Sequence, residues 1–111
     1  MVDVVMATIT RLAVSNPAED TETLAFTSTS TYLVSIIATN KSPGEASRIF
    51  VWIAPLNDNT ESSRGYIAHN LTLEPSNTYE TFKFSVINTD RIYVKATNGH
   101  TSFVISGVDQ A

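Results

Sequence analysis

Apolar and polar residues alternate with a period of two along most of the chain, which sends successive side chains to opposite faces of an extended backbone. Segments with this pattern are Ala7–Val14, Thr23–Thr27, Thr31–Thr39, Arg48–Pro55, Gly65–Leu73, Tyr79–Val86, Arg91–Thr97 and Thr101–Val108, so eight strands are expected. The stretches between them carry turn chemistry: Ser15-Asn16-Pro17, Asn40-Lys41-Ser42-Pro43-Gly44, Asn57-Asp58-Asn59, Pro75-Ser76-Asn77, Asn88-Thr89-Asp90 and Asn98-Gly99. Asn and Gly accept positive φ at such places, and Pro presets φ and ends strand pairing. Asn98-Gly99 is the sharpest hairpin signal, because a type I′ turn needs positive φ at both central residues. No segment has a helical period. The pattern predicts an all-β chain: a single antiparallel β-sandwich, immunoglobulin-like or jelly-roll.

The alternation also assigns faces. Ile92, Val94 and Ala96 should point inward, with Tyr93, Lys95 and Thr97 outward. Phe82, Phe84 and Val86 should form an inner row opposite Thr81, Lys83 and Ser85. In Thr31–Thr39 the inner row is Tyr32, Val34, Ile36 and Ala38, yet Leu33 and Ile37 make the other face partly apolar. Ile49–Ala54 is apolar on both faces: if Val51 and Ile53 fill the core, Phe50 and Trp52 need a cover, or the reverse. A two-layer sandwich buries one face of each strand, so the second apolar row must meet a loop, a chain end or another subunit. An oligomer contact is the first expectation for it.

Composition sharpens this picture. The chain has 111 residues, enough for one domain with a core and no disulfide or metal staple. Fifteen Thr and twelve Ser suit the outward rows and turns of a strand-rich domain. The organisation expected is a segment 1–6, an arm or a start extension, followed by one sandwich domain over 7–111; Met6 is a second candidate start. The longest apolar run, Ile49–Leu56, falls far short of the roughly 20 residues of a membrane-spanning helix. MVDVVMATIT has neither the basic region nor the apolar stretch of a secretory signal. The absence of cysteine removes thiol catalysis and thiolate metal sites. Seven scattered Lys and Arg in a chain of net charge −4 speak against a phosphate-tracking nucleic-acid face.

Candidate chemistry is sparse. His69 and His100 are the only histidines, one in a predicted strand and one beside a turn, and both read as ordinary polar positions. No nucleophile elbow, HExxH, Walker loop or dinucleotide fingerprint occurs. A non-enzyme with no cofactor and no metal is therefore expected. Asn57-Asp58-Asn59-Thr60-Glu61 clusters oxygens that calcium could use, but the same residues are what a strand-connecting turn needs. Two sequons, Asn40-Lys41-Ser42 and Asn70-Leu71-Thr72, read as accidental without a secretory signal. Trp52, Tyr66, Tyr79 and Tyr93 could stack on sugar rings if they lined one platform, or serve as cross-strand partners and interface anchors.

The segments ATITRLAVSNPAEDTETLAFTSTSTYLVSIIATNKS, IFVWIAPL, YETFKFSVINTDRIYVKAT and FVISGVDQ together resemble small β-sandwich structural proteins of tailed bacteriophages, particularly those infecting cyanobacteria. The likeness covers nearly the whole chain from Met6 and rests on strand pattern and phrasing. It implies a capsid decoration or cement protein, bound to the major capsid protein or another virion protein and assembled in the host cytoplasm. The same resemblance leaves open a tail, baseplate or fibre component. This chain departs from the pattern in its extra MVDVV and its bulky Phe50 and Trp52 strand. A homo-oligomer with contacts through Val2, Val4, Val5, Phe50 and Trp52 is expected, because strand addition by Val2–Val14 and a second apolar face offer two routes to a partner. No nucleic-acid or membrane partner is expected. From another functional class, a carbohydrate-binding module with a glycan ligand is the alternative.

Overall fold

Short strands with one apolar row each bury those rows by stacking two sheets face to face. The computed structural model describes residues 8–110, so the segment 1–6, the alternative start at Met6, and the interface candidates Val2, Val4 and Val5 lie outside the described residues. The strands are β1 (Thr10–Ser15), β2 (Thr23–Thr27), β3 (Tyr32–Asn40), β4 (Ser47–Ala54), β5 (Gly65–Leu73), β6 (Thr78–Glu80), β7 (Phe84–Val86), β8 (Arg91–Ala96) and β9 (Thr101–Asp109). One 3₁₀ turn, Glu61–Ser63, precedes β5. The first sheet runs β1-β9-β3-β6, with β7 also paired to β3, and the second runs β2-β8-β4-β5.

Every pairing is antiparallel, and the partnerships nest: β4 with β5, β3 with β6 and β7, β2 with β8, β1 with β9. The chain is one long ribbon, doubled back between β4 and β5. Wrapping that ribbon brings β9 against β3 and β8 against β4. This winding is a jelly roll, one of the two sandwich types the alternation predicts.

The core is the meeting of the two inner rows. Val34, Ile36, Ala38, Phe84, Val86, Phe103 and Ile105 come from the first sheet, and Ile49, Val51, Ala68, Leu73, Ile92, Val94 and Ala96 from the second. Fully burying one of the larger of these is worth about 1.5–3 kcal/mol. Gly107 lies between β1 and β3, where a Cβ would meet Leu12 Cδ1 at 2.9 Å and the Leu33 carbonyl oxygen at 3.0 Å. A side chain has no room at this crossing.

One end of the sandwich is closed by polar groups. The fully buried Asn40 amide donates to the Glu45 carbonyl at 2.7 Å and to the Leu73 carbonyl at 3.0 Å, and its Oδ1 accepts from Ser42 N and Asn98 Nδ2. These bonds give the carbonyls at this end of the sandwich the partners that water would otherwise supply.

Two sequence expectations change. Tyr79–Val86 is two strands, because Thr81 interrupts the ladder: its Oγ1 accepts the Ile36 N–H at 2.9 Å while its own N–H donates to the Ile36 carbonyl at 2.9 Å. A side chain standing in for backbone kinks the edge, turns Thr81 inward and leaves Phe82 70% exposed instead of in the core. Asn98-Gly99 is no type I′ hairpin, since β8 and β9 belong to different sheets and neither residue has positive φ. Asn98 is buried, and its Oδ1 accepts the His100 N–H at 3.0 Å, so the side chain shapes the arch. Positive φ falls instead on Asp20, Asn57, Asn70, Ser76 and Thr89.

Candidate interaction surfaces

The outer face of the second sheet gathers the aromatics. Register places Leu24, Tyr93, Trp52 and Tyr66 opposite one another across β2, β8, β4 and β5, and Phe50 opposite Lys95 in the next row. Two register shifts between β4 and β5, with Asn70 at positive φ, let Tyr66 and His69 share this face although they are three residues apart. Their rings meet edge to face at 4.6 Å between centroids, and His69 also meets Phe50 at 5.5 Å. Trp52 stacks on Tyr93 with an interplanar angle of 7°. Three of the four aromatics considered from sequence therefore converge; Tyr79 is on β6 in the other sheet and packs against the core.

Within this row Trp52 is covered by its own chain. Trp52 is 1% exposed, and the cover is the loop between β4 and β5. Trp52 Nε1 donates to Asn59 Oδ1 at 2.8 Å, and the Arg64 guanidinium lies 4.3 Å from the indole centroid. Arg64 then spans the sheet: Nη2 donates to both Glu22 oxygens at 3.1 and 3.2 Å, and Nη1 donates to Glu61 and Tyr66. Burial alone would lower the Arg64 pKa, but the hydrogen bond to Tyr66 and the charge of Glu22 outweigh it and hold the pKa above its ordinary value. Trp52, expected at a partner interface, is closed off by Arg64 and Asn59. Phe50 is half-buried, with Lys95 Nζ 5.2 Å from its ring centroid. The calcium candidate has become turn chemistry, with Asp58 accepting from Thr60 N, Thr60 Oγ1 and Ser63 Oγ. Those bonds, led by the Thr60 and Ser63 hydroxyls, hold the Asp58 carboxyl below the usual carboxylate range. Among the described residues no group of three or more His, Asp or Glu is placed to hold a metal ion.

Among the described residues the outer face of the first sheet is open. Val14, Val104 and Ile37 lie opposite one another across β1, β9 and β3, and Leu33 faces Val108 two rows away. Val14 is 53% exposed, and Ile9, just before β1, is 69% exposed. Ile9, Leu33, Ser35, Lys83, Ser106 and Val108 line a shallow hollow of about 50 Å³ there. The sequence pointed to this face only through Leu33 and Ile37.

The fold and these faces define an all-β jelly-roll domain with an aromatic face whose Trp52 is covered by its own loop and, among the described residues, an open aliphatic face. No protein-family model matches the sequence, and no curated protein matches it. Among solved structures, the chain aligns with a chain of the T13 IBDV viral particle at a TM-score of 0.44 and 11% identity, over 90% of this chain. The alignment spans 26% of that chain's length.

Proposed function

We propose that this chain is a non-enzymatic virion structural protein that decorates and cements a phage capsid through repeated contacts with the shell and with its own copies. The observation that carries an assembly role is the aliphatic outer face of the first sheet, where Val14 and Ile37 are exposed and Val104, Leu33 and Val108 half-buried beside them. Aliphatic side chains grouped on one exposed face mark a place where a partner docks. The virion reading is supported by the sequence resemblance. Modest contacts suffice for such a protein, since symmetry repeats them.

Quantitative mass spectrometry of gradient-purified particles, from a phage whose genome carries this sequence, tests the reading. A fixed stoichiometry relative to the major capsid protein is expected, and absence from particles would sink it. Cryo-EM of the same particles separates shell from tail, baseplate or fibre.

The convergence of Tyr93, Tyr66, Phe50 and His69 favours a second reading, glycan binding. A glycan array gives the discriminating result: a defined ligand whose binding is lost in Tyr93→Ala would put carbohydrate recognition ahead of assembly.

A further inference from the structure

Between the two aliphatic rows of the first sheet's outer face runs a third row of different character. Arg11 of β1 pairs with Ser106 of β9, which pairs with Ser35 of β3, and Lys83 lines the same hollow as Ser35 and Ser106. A cation thus stands at each end and two hydroxyls in the middle. Among the described residues neither Arg11 nor Lys83 is in an ion pair, although the chain is acidic. Two copies set face to face would bring these cations together, so the face does not suit its own duplicate. It suits an extended segment with an acidic side chain between apolar ones at alternate positions. Along β3 and β9 the rows are two residues apart, roughly 6.6–6.8 Å, which is also the i to i+2 spacing of an extended partner; on β1 a bulge makes the step from Arg11 to Val14 three residues.

The chain contains one such segment. Of its eleven acidic residues, only Asp3 has large apolar side chains at both i−2 and i+2, namely Met1 and Val5. The segment lies outside the described residues, and its sequence carries its half of the match. The residues that join it to β1, Met6-Ala7-Thr8, contain none of the Gly, Asn, Asp or Pro that tight reversals use.

We propose that Met1–Val5 of one copy docks on the first sheet's outer face of a second copy. Asp3 lies over the Arg11–Ser106–Ser35–Lys83 row, and Met1 and Val5 lie against the aliphatic rows on either side. This rests on the assembly reading above and names the self-contact within it.

Sedimentation velocity of the full chain, at concentrations up to about 1 mM, tests the contact without particles. Concentration-dependent association is expected, weakened roughly tenfold or more by Asp3→Lys and by Lys83→Glu, each of which sets like charges together. The double variant should restore association to within about threefold of the original, because the charges are then swapped. Circular dichroism of Lys83→Glu checks that the exposed substitution leaves the fold intact. A chain monomeric throughout, or one whose association ignores Asp3→Lys, overturns the proposal. So does a monomer in which deleting residues 1–5 shifts the NMR signals of Val104 and Ile37, since the segment would then cover its own face. Particle mass spectrometry stands independently: a chain present in virions but monomeric in solution removes this contact and leaves the virion role.

Discussion

Arg64→Ala isolates the strap that covers the aromatic row. The guanidinium lies 4.3 Å from the Trp52 centroid, its side chain is 11% exposed, and Nε donates to Asn59 O and Oδ1 at 3.2 and 3.1 Å. A cation held over an indole and largely shielded from water is worth about 1–2 kcal/mol. The hydrogen bonds to Asn59 and the packing of the aliphatic stem add about 1 kcal/mol. The ion pairs add little, because Glu22 and Glu61 are 43% and 70% exposed. The expected loss is about 2–3 kcal/mol, or roughly 8–15 °C in Tm for a chain of this size. Trp52 is the only tryptophan, so its fluorescence reports the same event: emission shifts red as the loop lifts and water reaches the ring. Urea denaturation followed by circular dichroism gives the energy, and the native-state spectrum gives the exposure. Arg64→Lys should recover less than half, since an ammonium keeps the charge but neither stacks nor forks. A loss under about 0.5 kcal/mol with an unshifted spectrum would refute the claim that Arg64 holds the cover.

Gly107→Ala should cost about 1–3 kcal/mol in urea denaturation, because its Cβ would fall 2.9 Å from Leu12 Cδ1 and 3.0 Å from the Leu33 carbonyl oxygen. Leu12→Ala in the same background should recover part of that loss if the clash is the cause. Asp58 has a depressed folded pKa, so its contribution is present above the unfolded value and fades as pH falls below about 4. Native emission of Trp52 should shift red at lower pH in that window in the parent chain than in Asp58→Asn, where the loop bonds are already weakened at neutral pH; identical profiles would remove the role given to Asp58.

How much of this was legible in the sequence depends on where backbone and side chain follow the same rule. Thr23–Thr27 and Gly65–Leu73 end where the alternation places them, and Ile92, Val94 and Ala96 point inward as it requires. Period two is enough wherever the ladder is unbroken. It fails at Thr81, where a hydroxyl replaces a backbone partner and Phe82 is thrown outward. It fails at Asn98-Gly99 because a turn dipeptide does not reveal whether the next strand stays in the same sheet. The doubly apolar β4 was visible, and so was its need for a cover. That the cover is Arg64 was not, since nothing local in a sequence links a charged residue to an indole twelve positions earlier. The open face was half visible in Leu33 and Ile37. Its Val14 and Val104 members become neighbours only through the β1–β9 pairing, between residues ninety apart.

The nested ribbon also sets the order in which the chain can fold. β9 sits inside the first sheet, with β1 on one side and β3 on the other, yet of the nine strands described it is made last. Until it emerges from the ribosome, β1 lacks the strand it pairs with and the inner row of β3 has no Phe103 or Ile105 beside it. Loop closure over such separations is slow relative to local pairing. The nascent chain therefore waits with an unfinished first sheet, and a stop codon or a proteolytic cut that removes β9 leaves two unjoined fragments of that sheet where a shortened domain might have been expected.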